Sequence, residues 1–406
     1  MVRLDHRRYN VIAFWCHRTS SVRFIVLLGS AFGAASAVIN YNRGPELTVT
    51  AARQLLAVPS SHFYDDLLTL GLSIEGGSGQ TALCFIASEQ GNVSDKDKHF
   101  SLSPDFIYVG CRVQAWGVFQ GKKLLFEPKP GRAEKILQII TEIEEKREFT
   151  AAAAASLLGK LGFLGGTLSG RVLRGCEYTI QQYKAGLRTS WTAELEFAFA
   201  FVRAAATRLP PRAVEINPTI ARPPLLLWSD AEFSGSSEMG FGWVISAADW
   251  KVPLAGWGFV PAELASQFEE RKTQICMGEA LAAISAPYTV PALFEGRDVL
   301  HFVDNQGALS CLINGVSRAP DVGAVACLYQ LVMAKLECRS WAEYVESTAN
   351  ISDGPSRLGR KWAFTEECRL IGATVIEAKL PLLSNLRASS LETLLEAFPC
   401  ARAEAG

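Results

Sequence analysis

The chain has almost no net charge, no cysteine pair at metal-binding spacing and no apolar run long enough to span a bilayer. Its 406 residues carry 40 Lys+Arg against 41 Asp+Glu, a net charge of −1, so overall charge makes no case for a nucleic-acid partner. The ten cysteines, at 16, 84, 111, 176, 276, 311, 327, 338, 368 and 400, include no Cys-x-x-Cys. That argues against zinc knuckles and a disulfide framework, and favours buried thiols in a reducing compartment. The sixteen uncharged residues Phe24–Ile39 follow an arginine-rich start, and Ala35-Ser36-Ala37 resembles a signal-peptidase site. A membrane span needs about 20 residues, and Gly29, Ser30, Gly33 and Ser36 dilute this one. The expectation is no signal peptide or transmembrane helix, and an intracellular location, cytoplasmic or nuclear. No internal repeat is present.

What the chain does have is four acidic residues in distinctive frames. Asp230 ends the apolar run Leu225–Ser229, and Glu279 lies early in the helical pattern Cys276–Ala283. Asp304 ends the run Val299–Val303, and Asp353 falls in Asn350-Ile351-Ser352-Asp353-Gly354-Pro355-Ser356-Arg357. The gaps between them are 49, 25 and 49 residues. Between the first two lie strand candidates Phe241–Ser246 and Ala255–Val260, rich in aromatic and β-branched residues. After Asp304 come helical stretches over 306–314 and 321–337 and a strand over 341–346. The resulting order, β-β-β-α-β-α-α-β-α, describes a mixed sheet with helical crossovers, an α/β (α+β) class. Strand ends and a helix face are stiff mounts for carboxylates that converge on divalent cations. Taken singly, each acid reads as a turn former, a helix cap or a solvated residue. His301, on a core strand, reads as a packed histidine.

In this order and these frames the segment 224–360 resembles the ribonuclease H domain of retroelement reverse transcriptases. Asp304-Asn305 and Asn350-x-x-Asp353-x-x-Ser356-Arg357 resemble the versions in retrotransposons and related DNA viruses. The resemblance implies a ribonuclease H-like fold holding two Mg²⁺ (or Mn²⁺) ions on Asp230, Glu279, Asp304 and Asp353, with Asp230 bridging both. It further implies an RNA–DNA hybrid as partner, with Asn305 and Arg357 as substrate-binding candidates. No histidine lies between Tyr344 and Asp353, where many cellular members carry one.

The first half resembles the polymerase part of the same family. Ser61–Leu68 sets Asp65-Asp66 after two aromatics, and paired carboxylates at a turn invite a cation; both are candidate metal ligands and catalytic residues. Ser30–Arg43 resembles a Phe-Gly segment in which Gly33 allows close approach to the substrate. Phe106–Val113 resembles a primer-gripping strand, and the helical patterns 131–146 and 150–164 resemble a thumb. The family's earlier palm aspartate has only Asp5 as a candidate, before which no apolar strand lies. The expectation is therefore a fragment of a longer polyprotein, a truncated gene model or a decayed element, with polymerase activity lost.

Charge and breakers outline the parts. Residues 1–43 hold six arginines against Asp5 alone, whereas 224–360 holds 9 basic and 16 acidic residues, a net of −7. The expected layout is a partial palm over 1–115, a thumb-like helical region over 116–208, a proline-rich linker over 209–223, the ribonuclease H-like domain over 224–360, and a tail of unknown role over 361–406. Ser190–Arg208 reads as an amphipathic helix, residues 74–103 as loop at least in part, and Ser389-x-x-Glu392 as a capping box. Two readings stay open: a hybrid-cleaving nuclease, and a non-catalytic relic that folds and binds nucleic acid. A membrane-anchored protein is a third, weaker reading.

Overall fold

The computed structural model describes residues 11–26, 35–92, 95–115, 123–168, 171–215, 222–233, 238–271, 273–381 and 391. Gly33, Asp5 and the Ser389 capping box lie outside these residues. The chain divides into two compact units, 1–109 and 110–406.

The first unit pairs β1 (Val11–Cys16) with β2 (Ser21–Val26) in one antiparallel hairpin. Helix α1 (Ala35–Leu56) is followed by β3 (Ser60–Phe63) and β4 (Asp66–Thr69), a second hairpin. Helix α2 (Ser78–Glu89) occupies part of the stretch expected as loop. A small core joins Val49 and Ala52 of α1 to Leu83 of α2. The single strand expected over Phe106–Val113 is two strands, β5 (Asp105–Tyr108) and β6 (Cys111–Gln114). Val109 and Gly110 break it, both with positive φ, at 49° and 72°. Such a pair ends an extended run whatever the propensity of the residues around it.

In the second unit β6 pairs with β7 (Lys123–Pro128), and β7 with β8 (Arg212–Glu215). Part of the proline-rich segment expected as a linker is thus a paired strand, lying between its prolines rather than on them. Helices α3 (Arg132–Lys146), α4 (Ala151–Thr167) and α6 (Ala193–Arg208) match the helical patterns read at 131–146, 150–164 and 190–208, and α5 (Arg174–Lys184) is a further helix for which no separate pattern was read. Thr150 and Thr192 cap α4 and α6 by accepting from the backbone N–H three residues on.

A six-stranded mixed sheet holds the acids. It comprises β9 (Leu225–Phe233), β10 (Met239–Ser246), β11 (Leu254–Phe259), β12 (Asp298–Val303), β13 (Arg339–Tyr344) and β14 (Thr374–Glu377), in the order β13-β12-β9-β10-β11-β14. The first three run as an antiparallel meander. β12 is parallel to β9, and β13 to β12. The crossovers are α7 (Ile275–Thr289), then α8 (Gln306–Asn314) and α9 (Pro320–Lys335). Helices α10 (Asp353–Leu358) and α11 (Glu366–Ile371) follow. The element order read from the sequence is found, with two further four-residue helices, Ala262–Ala265 and Pro291–Phe294, on either side of α7. β14, parallel to β11, adds a strand from the stretch expected as a tail. The protein is a mixed α/β fold. One continuous core runs from Ile136 and Leu161 through Phe201 to Phe241, Leu281 and Leu331, so helices 132–208 and the sheet bury their apolar faces together.

Candidate metal centre

Helix α7 explains why Glu279 matters. Every residue from Met277 to Pro287 is buried, so the helix is apolar on all sides. Glu279, 2% exposed, is the one charged group in it. A carboxylate there is costly unless partnered, and its Oε2 is buried without a hydrogen-bond partner. Gly278 permits the close approach that puts it there: an added Cβ would stand 2.7 Å from Met239 Sδ and 2.8 Å from Ala231 Cβ.

Asp230 faces it from β9. The strand was expected to end at this residue but continues to Phe233, because β10 pairs with it as far as Phe233↔Met239. Asp304 follows β12, which lies parallel to β9 in a register that pairs Phe302 with Trp228. One carboxylate oxygen from each of Asp230, Glu279 and Asp304 lies within 4.8 Å of the others. These three acids, 49 and 25 residues apart in sequence, close into one cluster. Among the described residues no other group of three His, Cys, Asp or Glu side chains is so arranged.

Crowding shows in the acidities. Burial, then the charges of Asp230 and Asp304, pushes Glu279 up to about 10. Burial likewise raises Asp230 to about 6, opposed by a hydrogen bond from Ser356. Both departures mark groups that favour a neutralising charge, a proton or a cation. An unpartnered buried oxygen and three converging hard oxygen donors fit a divalent cation such as Mg²⁺ or Mn²⁺.

The fourth acid stands at the rim. Asp353, half-buried, opens α10 and pairs with Arg357 at 2.7 Å. Burial raises its pKa, the charge of Arg357 opposes that rise, and the charge of Asp304 adds to it. Arg357 also reaches Glu232 at 3.4 Å. Asn305 caps α8, its Oδ1 accepting from Ala308 N–H at 3.0 Å. His301 is buried, 2.8 Å from Ser229 Oγ and 3.1 Å from Tyr329 OH, and burial lowers it to about 3. It is a neutral core residue, as its position on β12 led one to expect.

In the other unit, Tyr64 and Asp65 form the two-residue turn between β3 and β4, and Asp66 begins the return strand opposite Phe63. Both aspartates are exposed, and among the described residues no third acid converges on them. The side chain not assigned from sequence is Ser356, whose Oγ donates to Asp230 Oδ2. The motif around it was visible; the contact depends on how α10 sits on the sheet.

No family model matches the chain, and no curated protein matches it. Among solved structures it is similar to ribonuclease H1 from the halophilic archaeon Halobacterium salinarum NRC-1, at 17% identity over 32% of this chain and 92% of that one, with a TM-score of 0.27. It is similar to a foamy viral protease-reverse transcriptase in complex with double-stranded DNA, at 12% identity over 84% of this chain and 54% of that one, TM-score 0.38. The same viral protein in complex with an RNA/DNA hybrid gives 12% identity, 84% and 42% coverage, and a TM-score of 0.37. This chain thus spans about half or less of the viral chains. No helix among the described residues is long and apolar enough to cross a membrane.

Proposed function

We propose that the second unit is a ribonuclease H-like, metal-dependent hydrolase that cuts the RNA strand of an RNA–DNA hybrid, within a chain of retroelement reverse-transcriptase ancestry. The observation that carries this reading is the convergence of Asp230, Glu279 and Asp304 on one point, with Glu279 Oε2 buried and unpartnered. Asp230, Glu279 and Asp304 would hold one cation, and Asp230 with Asp353 a second. Bound divalent ions would activate the attacking water and stabilise the leaving 3′ oxygen.

The chain's own residues set the conditions. Glu279 and Asp230 must give up their protons for a cation to enter, and the apolar walls of α7 keep competing water away from them. Asp353 is tied to Arg357, so it joins the centre only as that exposed ion pair opens, a small cost for a surface pair. Arg357, freed, is placed to meet a phosphate of the substrate. The hybrid would be read by minor-groove shape and 2′-hydroxyls rather than by base sequence.

Residues 1–115 and the helical region 116–208 are proposed as remnants of palm and thumb. DNA synthesis is not proposed for the chain, because Asp65 and Asp66 stand on an exposed turn with no third acid beside them among the described residues. The test is incubation of the full chain with an end-labelled RNA–DNA hybrid and Mg²⁺. Cleavage of the RNA strand alone, abolished by chelation, is the expected result. An intact hybrid at all Mg²⁺ and Mn²⁺ concentrations favours the non-catalytic relic instead.

A further inference from the structure

Three polar residues of the segment Asn350–Arg357 are buried yet offer no charge to a metal: Asn350, 4% exposed, Ser352, fully buried, and Ser356, 3% exposed. Asn350 Nδ2 donates to the backbone carbonyl of Ser229, the residue before Asp230, at 3.4 Å. Its Oδ1 accepts from Ser352 Oγ at 2.6 Å, which closes the turn. Ser356 Oγ donates to Asp230 Oδ2 and also lies 3.0 Å from the carbonyl of Asp353. One hydroxyl proton serves both acceptors, and an ionised carboxylate is the stronger of the two.

The sheet below is shaped for this contact. Gly242 stands opposite Asp230 in the β9–β10 ladder, and Gly240 opposite Glu232. A Cβ at Gly242 would lie 2.5 Å from Ser356 N and 2.8 Å from the carbonyl carbon of Pro355. One at Gly240 would overlap the carbonyl oxygen of Ser356. These neighbours are backbone atoms that cannot swing aside. The two glycines therefore form a floor on which the first turn of α10 lies, and that seating brings the serine hydroxyl to the aspartate.

We propose that Ser356 is a positioning residue for the metal centre. Its hydroxyl fixes the orientation of the Asp230 carboxylate by donating to Oδ2, so that the carboxylate is presented to the cations proposed above, while Asn350 ties the same loop to β9. This rests on the metal-dependent reading above and adds the device that fixes the acid central to it. Ser356 makes no contact with the cation; it acts through Asp230.

The test is Mn²⁺ binding to the full chain, followed by titration calorimetry, for wild type, Asp230→Asn, Ser356→Ala, Ser356→Cys and Ser356→Thr. Ser356→Ala should weaken Mn²⁺ binding by ~10-fold or more, the usual scale for losing a hydrogen bond to a metal-ligating carboxylate. Ser356→Cys keeps the volume but is a weak donor, and should behave as the alanine variant does, which covers the case of an alanine variant that does not fold. Ser356→Thr keeps the hydroxyl and should stay within about threefold of wild type. If Asp230→Asn abolishes binding while the alanine and cysteine variants bind as wild type does, the positioning role is wrong and the metal reading stands. If wild type binds no Mn²⁺, or Asp230→Asn binds it equally well, the metal reading fails and the role of Ser356 fails with it.

Discussion

Asp230, on a β-strand, and Glu279, on a buried helix, each bring a carboxylate oxygen within 4.8 Å of the other. Two acids placed so far inside a protein repel each other and resist ionisation together. The arrangement is one a fold maintains at a cost to stability, and a proton or a bound cation would offset that cost.

Stability in the presence of a chelator should therefore depend on pH in an unusual direction. Glu279 moves from an ordinary 4.5 to about 10 on folding, and Asp230 from 3.8 to about 6. The folded chain keeps protons that the unfolded chain has released. Their contribution is complete below the unfolded values and is lost as pH rises, through about 6 for Asp230 and toward about 10 for Glu279. Thermal melts in chelator should fall between about pH 5 and about pH 8, Glu279→Gln should flatten the slope, and Mn²⁺ should restore the alkaline loss. A melting temperature indifferent to both changes would contradict the crowded-acid account.

Asp304→Asn should abolish hybrid cleavage and leave hybrid affinity within about threefold. Loss of a group that merely orients a metal ligand costs about 10- to 100-fold, so loss of a ligand itself should cost at least ~100-fold. Activity surviving this change in a side-by-side cleavage and binding assay would remove Asp304 from the site.

Gly242→Ala should destabilise the protein by about 1–3 kcal/mol, the usual penalty for an overfilled interior. It should weaken Mn²⁺ binding as well, because the added methyl displaces the Pro355–Ser356 backbone. Denaturant unfolding together with the Mn²⁺ titration measures both effects. An alanine variant with wild-type values in both would mean that α10 is not seated on this strand.

His301→Ala should cost about 2–4 kcal/mol, from the lost side chain and the buried Ser229 hydroxyl left without its imidazole partner. Its value of about 3 lies below the ordinary 6.5, so the neutral form's contribution is present above about 6.5 and fades as pH falls toward 3. Mn²⁺ affinity should be unchanged, since His301 is not among the side chains that converge in the acidic cluster. A variant that keeps its stability and loses the metal would reverse this assignment.

Much of the second unit was legible because its strands are runs of apolar residues closed by an acid or a breaker. Val299–Val303 before Asp304 and Leu225–Ser229 before Asp230 state their geometry in the local pattern. What was hidden depends on contacts between distant segments. β14 is four residues, Thr374–Glu377, with no period long enough to read, and only its pairing with β11 makes it a strand. β8 lies among prolines that read as breakers, yet they flank it. Val109 takes a left-handed turn that a β-branched residue seldom adopts. The glycines of β10 weaken a strand in isolation; their use becomes apparent only with Ser356 resting on them.

The most direct measurement of the central claim is anomalous diffraction from crystals of the chain soaked in Mn²⁺. The account predicts a peak bounded by carboxylate oxygens of Asp230, Glu279 and Asp304, at about 2.0–2.3 Å from each. Crystals with no peak among these three residues, or with Mn²⁺ bound only elsewhere, would contradict it.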